Sequence, residues 1–161
     1  KTIANHGQEK RYYHDIVGCN SRLDSMQAAI LNIKLKHLDR YNQARANVAT
    51  FYNQAFENCA AITTPKTAPY STHVFHQYTL KLTSHSRAAL QAHLQAAGIP
   101  SMIYYPIPAH RQNMFSKFNL GHLHLPLTEA LCEQVISLPI HTEMDEQQLD
   151  YIIQHVQSFF K

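Results

Sequence analysis

Charge is scarce in this sequence. Only 16% of its 161 residues are Asp, Glu, Lys or Arg, and no run of Lys or Arg stands out, so a net charge of +3 with His neutral does not mark a nucleic-acid surface. Cysteine is equally sparse: Cys19, Cys59 and Cys132 are widely separated and odd in number, which suits free thiols in a reducing compartment better than a disulfide framework. No apolar run approaches the length that spans a bilayer and no signal-peptide pattern opens the chain, so a cytoplasmic protein is expected. Twelve histidines are present, but no Cys-x-x-Cys, no His-Glu-x-x-His and no carboxylate-histidine cluster at ligand spacing accompanies them. His110, His122 and His124, or His73 with His76, are the residues that could supply metal ligands, and no metal site is expected. No local Cys-His or Ser-His signature of nucleophilic catalysis appears, and there are no internal repeats or low-complexity tracts. The chain opens on Lys1-Thr2-Ile3-Ala4 without Met, which points to a fragment.

What is present is a hydrophobic content of 45%, enough for one core, or one small core with a projecting element. The chain is organised around Val17-Gly18-Cys19-Asn20-Ser21-Arg22-Leu23-Asp24, a polar turn leading into a helical pattern. Ser21 followed three residues later by Asp24 reads as a capping-box signal that starts a helix there. Past it, Leu23, Met26, Ile30, Ile33, Leu38, Tyr41, Ala44, Val48, Phe51 and Ala55 recur at steps of three to four, with no Gly or Pro between Gly18 and Pro65. One helix over residues 21–57 is expected. Its length calls for a partner, either a bundle mate or a second subunit. A helix mouth gathers unpaired N–H groups and the positive end of the macrodipole, so Asn20, Ser21 and Arg22 form either a seat for a phosphate or simply a cap.

Further along, residues 72–82 read as a strand with Val74, His76, Tyr78, Leu80 and Leu82 on one face, where His76 would be a packed core histidine. Ser86 caps a second helix with Leu90, Leu94 and Ala97 in register, and Gly98 stops it. Residues 99–105 read as another strand, ended by Pro106-Ile107-Pro108. Those two prolines stiffen a loop that carries Tyr104, Tyr105 and His110, the best functional candidates in this half of the chain. A helix over 127–134, a strand over 135–138 and a last helix over 145–160 complete a β-α-β-α-β-α order. The expected fold class is α/β (α+β), a long N-terminal helix followed by a small mixed or antiparallel sheet with helices on one face.

Several blocks together resemble a known family. Gly18-Cys19-Asn20-Ser21-Arg22-Leu23-Asp24, with Asn5-His6-Gly7-Gln8 before it and Gln27-Ala28-Ala29 after it, is similar to the DegT/DnrJ/EryC1/StrS family of pyridoxal-phosphate-dependent nucleotide-sugar aminotransferases. His76-Gln77-Tyr78, Gly98-Ile99-Pro100, Tyr104-Tyr105-Pro106-Ile107-Pro108-Ala109-His110-Arg111-Gln112 and Ser137-Leu138-Pro139-Ile140-His141 agree in order, although Thr142 stands where the family commonly has Pro. Only the C-terminal part of the family is matched. The resemblance implies the small domain of a fold-type I aminotransferase over residues 21–161, with residues 1–20 as an inter-domain and active-site loop that has little to pack against by itself. It further implies cofactor contacts from Asn20 and Arg22, the asparagine reaching the phosphate in a partner subunit's site, and substrate contacts from Tyr12, Tyr104, Tyr105 and His110. The parent would be a cytoplasmic homodimer that moves an amino group from glutamate to a nucleotide-linked keto sugar, with the His76 and Tyr104 blocks most like members acting on 3-keto sugars. In the family the Schiff-base lysine and the acid facing the pyridine nitrogen precede the Asn-His-Gly-Gln block. Lys34, Lys36, Lys81 and Lys161 do not stand in that turn, so this chain by itself holds no catalytic residue and should not transaminate. A non-catalytic regulatory or interaction module related to the family is the alternative.

Overall fold

The computed structural model describes the chain from Lys1 to Lys161 apart from Arg11, Arg22 and Asn119. It divides into two compact units, Lys1–Asp39 and Arg40–Lys161.

In the first unit, β1 (Gln8–Lys10) and β2 (Tyr13–His14) form an antiparallel hairpin. Beside it, Asn5 bridges Asn20, the Cys19 N–H donates to Ile3 O at 2.8 Å, and the Ser21 N–H donates to Ala4 O at 3.0 Å. The opening loop, expected to have little to pack against by itself, is thus tied into a small backbone network. Glycine makes the approach possible: a Cβ on Gly7 would lie 1.7 Å from Ile16 O, and Gly7 has φ +74°. The helix expected from Ser21 opens instead as α1 (Ser25–Leu35), with Asp24 as its N-cap. Ser21 lies four residues before the first helical residue, too far upstream to cap it, and its N–H donates to Ala4 O. Turn residues Lys36 and His37 then interrupt the helix, the His37 N–H bonding back to Lys34 O at 3.0 Å. Ala, Gln, Leu and Met make α1 a good intrinsic helix, yet it buries no residue: Met26, Ile30 and Ile33 are all more than half exposed.

The remaining unit carries the core. α2 (Leu38–Phe56) buries Val48, Ala49, Tyr52 and Phe56, whereas Phe51 lies exposed. The apolar stripe keeps Val48 and the partly buried Ala55 from the expected set but takes Tyr52 in place of Phe51. The sheet has the order β3-β4-β5, all antiparallel, from β3 (Ile62–Thr63), β4 (Tyr78–Leu82) and β5 (Val135–Leu138). Tyr78, Leu80 and Leu82 point into the core beneath α2, α3 (Arg87–Ala96) and α5 (Glu146–Phe159), whose Leu90, Leu94, Leu149, Ile152 and Val156 complete it. α4 (Pro126–Gln134) leads directly into β5.

Two strand expectations change. Residues 72–77 are irregular, with Phe75 buried at φ 46° and His76 exposed, because the His73 imidazole accepts the Phe75 N–H at 2.9 Å and turns the chain. Residues 99–105 do not form a strand. Ile99 donates to Leu94 O at 2.9 Å and Gly98 to Gln95 O at 3.0 Å, the paired bonds of a Schellman stop, and Pro100 has no N–H to give. Only Met102 reaches the sheet, exchanging both backbone bonds with Ser137 at 3.1 and 2.7 Å. The 99–105 segment adds only this bridge, on the side of β5 away from β4, while β3 pairs with the other side of β4, and the order after α2 is β-β-α-α-β-α.

Candidate functional site

The Met102 bridge places Tyr104 next to the end of β5, and from there the chain runs through Pro106 and Pro108 into a single 3-10 turn, Ala109–Arg111. Tyr104 and Tyr105 meet edge to face, with ring centroids 6.0 Å apart and a cis peptide between them. Two cavities share Tyr104. One, of about 240 Å³, is lined by His76, Gln77, Pro100 to Met102, and Ser137 to Ile140. The other, of about 780 Å³, has one wall from Tyr104, Tyr105, Ile107 to Ala109, Gln112 and Met114, and an opposite wall from Thr128, Leu131, Cys132 and Val135. Three blocks spread along the chain from His76 to Ile140 therefore converge around one tyrosine. Arg45 supports this arrangement from α2, donating to His76 O at 3.1 Å, as does Tyr52, whose hydroxyl donates to Pro139 O at 2.9 Å.

His110 belongs to the same loop but does not line either cavity. Its side chain is 8% exposed and its Nε2 lies 3.2 Å from Glu129 Oε1. The same oxygen accepts Arg111 Nη2 at 2.8 Å, Arg111 Nε at 3.3 Å and the Leu125 N–H at 3.2 Å. Glu129 Oε2 lies 3.3 Å from His124 Nδ1. The Arg111 guanidinium first, then the Leu125 N–H and His110, hold the Glu129 carboxyl well below the usual carboxylate range, at about 2. Among the described residues no group of three or more His, Cys, Asp or Glu could hold a metal ion. Sequence reasoning missed Glu129 and the wall formed by Leu131, Cys132 and Val135. A first-turn acid after Pro126 was visible, but its pairing with residues 18 and 19 positions away was not.

In the other unit, the seat for an anion at a helix mouth is corrected. Asp24 Oδ1 accepts the Gln27 N–H at 2.9 Å, so a carboxylate already stands at the N-terminus of α1 and takes one of its donors. Asn20 lies upstream of that turn, exposed and bridged through its backbone to Asn5. Tyr12 stands in the hairpin turn at φ 71°, its N–H donating to Gln8 Oε1 at 2.9 Å. Arg22, named with Asn20 as a cofactor contact, lies outside the described residues.

The sequence model described as the DegT/DnrJ/EryC1/StrS aminotransferase family matches residues 1–157. A relative from Geobacillus stearothermophilus named "Pleiotropic regulatory protein" is 39% identical over 100% of this chain and 43% of its own length. A UDP-N-acetyl-3-dehydro-alpha-D-glucosamine 3-aminotransferase from Acidithiobacillus ferrooxidans is 42% identical over 91% of this chain and 38% of its own length. Among solved structures, DesV of S. venezuelae in complex with a ketimine intermediate superposes with a TM-score of 0.90 at 34% identity, over 99% of this chain and 43% of that one. The chain thus spans well under half the length of these relatives.

Proposed function

Because the chain belongs to the DegT/DnrJ/EryC1/StrS aminotransferase family, we propose that its parent protein transfers an amino group from glutamate to the keto group of a nucleotide-linked sugar, and that this chain supplies part of the sugar-binding wall. Family members are pyridoxal-phosphate-dependent; when bound, that cofactor supplies the electron sink for the amino transfer. The observation that carries the reading is the convergence on Tyr104 of the His76-Gln77 block, the Tyr104-Tyr105 block and the Ser137 to Ile140 block. A 3-keto sugar is the favoured acceptor, in keeping with the name of the Acidithiobacillus relative.

The chain's own residues take these roles. Tyr104 and Tyr105 orient the sugar by ring faces and hydroxyls, and Tyr12, in the first unit, is assigned a substrate contact on the family likeness alone. His110 has Nε2 engaged by Glu129, which leaves Nδ1 as the atom through which it would serve the substrate. The donor set also suits a phosphate. Asn20 offers an exposed side-chain amide and Arg22 a guanidinium, and with α1 closed by Asp24 these side chains, rather than the helix, would hold the anion. The lysine that would carry the cofactor is assigned to the parent protein outside this chain, so the isolated chain is expected to be inactive. A homodimer follows from the same reading and fits the exposed apolar surface of α1. Residues 1–20 are assigned as an active-site loop and 21–161 as the small domain. The compartment is assigned as cytoplasmic; among the described residues no helix is long and apolar enough to cross a membrane.

In the full-length protein, Tyr104→Phe and Tyr105→Phe should raise KM for the keto sugar nucleotide while the absorbance of bound cofactor stays unchanged. An unchanged KM in both variants would overturn the assignment. Asn20→Ala should weaken cofactor binding about tenfold to a hundredfold, the range for a charge-assisted hydrogen bond. Mixing Asn20→Ala subunits with subunits lacking the cofactor lysine should leave one intact site per heterodimer. A regulatory protein that keeps the cofactor without turnover is the second reading, favoured by the name of the Geobacillus relative. Cofactor retention with no turnover on any keto sugar nucleotide would select it.

A further inference from the structure

The larger cavity has two walls from separate stretches of chain, residues 104–114 and the helix-to-strand segment from Thr128 to Val135. Both walls are largely apolar, and apolar contact is non-directional: it can hold the walls together without fixing their spacing or register. Directional bonds must do that. Among the described residues, the hydrogen bonds that join the two walls end on Glu129, which accepts His110 Nε2 and Arg111 Nε and Nη2 from one side. From its own side it accepts the Leu125 N–H, while its backbone N–H donates to Leu125 O at 2.9 Å. Leu125 is the N-cap of α4 and its apolar side chain makes no cap bond, so Glu129 satisfies one donor at this helix end by accepting the Leu125 N–H.

We propose that Glu129 is a positioning residue that clamps the 3-10 turn bearing His110 and Arg111 to the first turn of α4, and so sets the width of the cavity lined by Tyr104 and Tyr105. Its functional weight rests on the reading of that cavity as the sugar site. The carboxylate does not itself face the cavity. It acts through the far end of the loop: the Met102 bridge holds the Tyr104 end whether or not the clamp is closed, whereas the stretch from Tyr105 to Gln112 stands at a fixed distance from Leu131 and Cys132 only with the clamp closed, and with it open the prolines keep that stretch stiff but no longer placed.

The test measures hydrogen exchange on the 161-residue chain carrying Glu129→Ala, with Glu129→Gln as the variant that keeps side-chain size. The Arg111 and Gln112 amides, bonded to Pro108 O and Ala109 O, should exchange about tenfold faster in Glu129→Ala, with a smaller rise in Glu129→Gln. Protection across Tyr78–Leu82 should stay as it is. Unchanged exchange at Arg111 and Gln112, or an equal loss across β4, would overturn the clamp. In the full-length protein, Glu129→Gln should raise KM for the keto sugar nucleotide several-fold with kcat within about twofold, a split that a general loss of stability would not produce. Faster local exchange with an unchanged KM would support the clamp and overturn the sugar site, so the two failures are distinguishable.

Discussion

Removing one hydroxyl should measurably loosen the second unit. Tyr52 is fully buried in α2, and its hydroxyl donates to Pro139 O at 2.9 Å, tying the helix to the chain as it leaves β5. In Tyr52→Phe the ring contacts with Phe56 at 5.9 Å and Tyr78 at 4.8 Å remain, so no cavity opens and only the polar term is lost. Losing that bond while stranding the Pro139 carbonyl costs about 2 kcal/mol. For a unit of roughly 120 residues, an unfolding entropy near 2.1 cal/mol/K per residue turns this into a Tm lower by about 8 °C. Calorimetry at pH 7 reads it directly, and a drop below about 2 °C would refute the reasoning. A pH test separates this bond from general packing. Burial pushes the Tyr52 phenol up, and desolvation followed by Tyr52 itself pushes Tyr78 up, its hydroxyl donating to Asn53 Oδ1 at 2.7 Å. The unfolded chain releases these protons near pH 10 and the folded one only well above it. Stability is therefore complete below about pH 10 and falls as pH rises beyond it, by about 1.4 kcal/mol per pH unit for each such tyrosine. Tyr52→Phe should lower that alkaline slope by one proton. An unaltered slope would show that the phenol does not titrate with unfolding.

Glu129 gives the opposite sign. Its folded carboxyl is held at about 2, chiefly by Arg111, so its contacts are complete above the ordinary carboxylate range and are lost as pH falls towards 2. Carbon-detected NMR should show its side chain titrating near pH 2, and Arg111→Gln should move that titration upwards. Glycine substitutions should differ sharply. Gly98→Ala meets open space and pays only for φ +71°, about 1 kcal/mol in denaturant melts, whereas Gly7→Ala forces a Cβ to within 1.7 Å of Ile16 O and should abolish amide protection in the β1–β2 hairpin.

Much of the second unit was legible because its signals are local. Ser86 as a cap, Leu90 and Leu94 on one face, Gly98 as a stop, and the last helix each depend on neighbours within a turn or two, and each stands where the sequence places it. The Tyr104-Tyr105 loop was legible for the same reason, since prolines at 106 and 108 constrain the backbone by their own rings. Nothing local marks the interruption at Lys36 and His37, where neither glycine nor proline occurs. Likewise, two adjacent aromatic residues, Phe51 and Tyr52, could each have faced the core.

What the sequence by itself determined, then, is the identity of most elements and the residue types of the site, because helix period, caps and proline geometry are properties of contiguous chain. Tertiary structure decided pairing. Ile99 and Pro100 have strand-like neighbours, but the Schellman bond to Leu94 takes the Ile99 donor, Pro100 has none to give, and only Met102 pairs with β5. The His110 imidazole looks like a free functional group until α4 brings a carboxylate to 3.2 Å from it. A hydrogen bond is settled by distances of a few tenths of an ångström between groups far apart in sequence, and no periodicity carries that information.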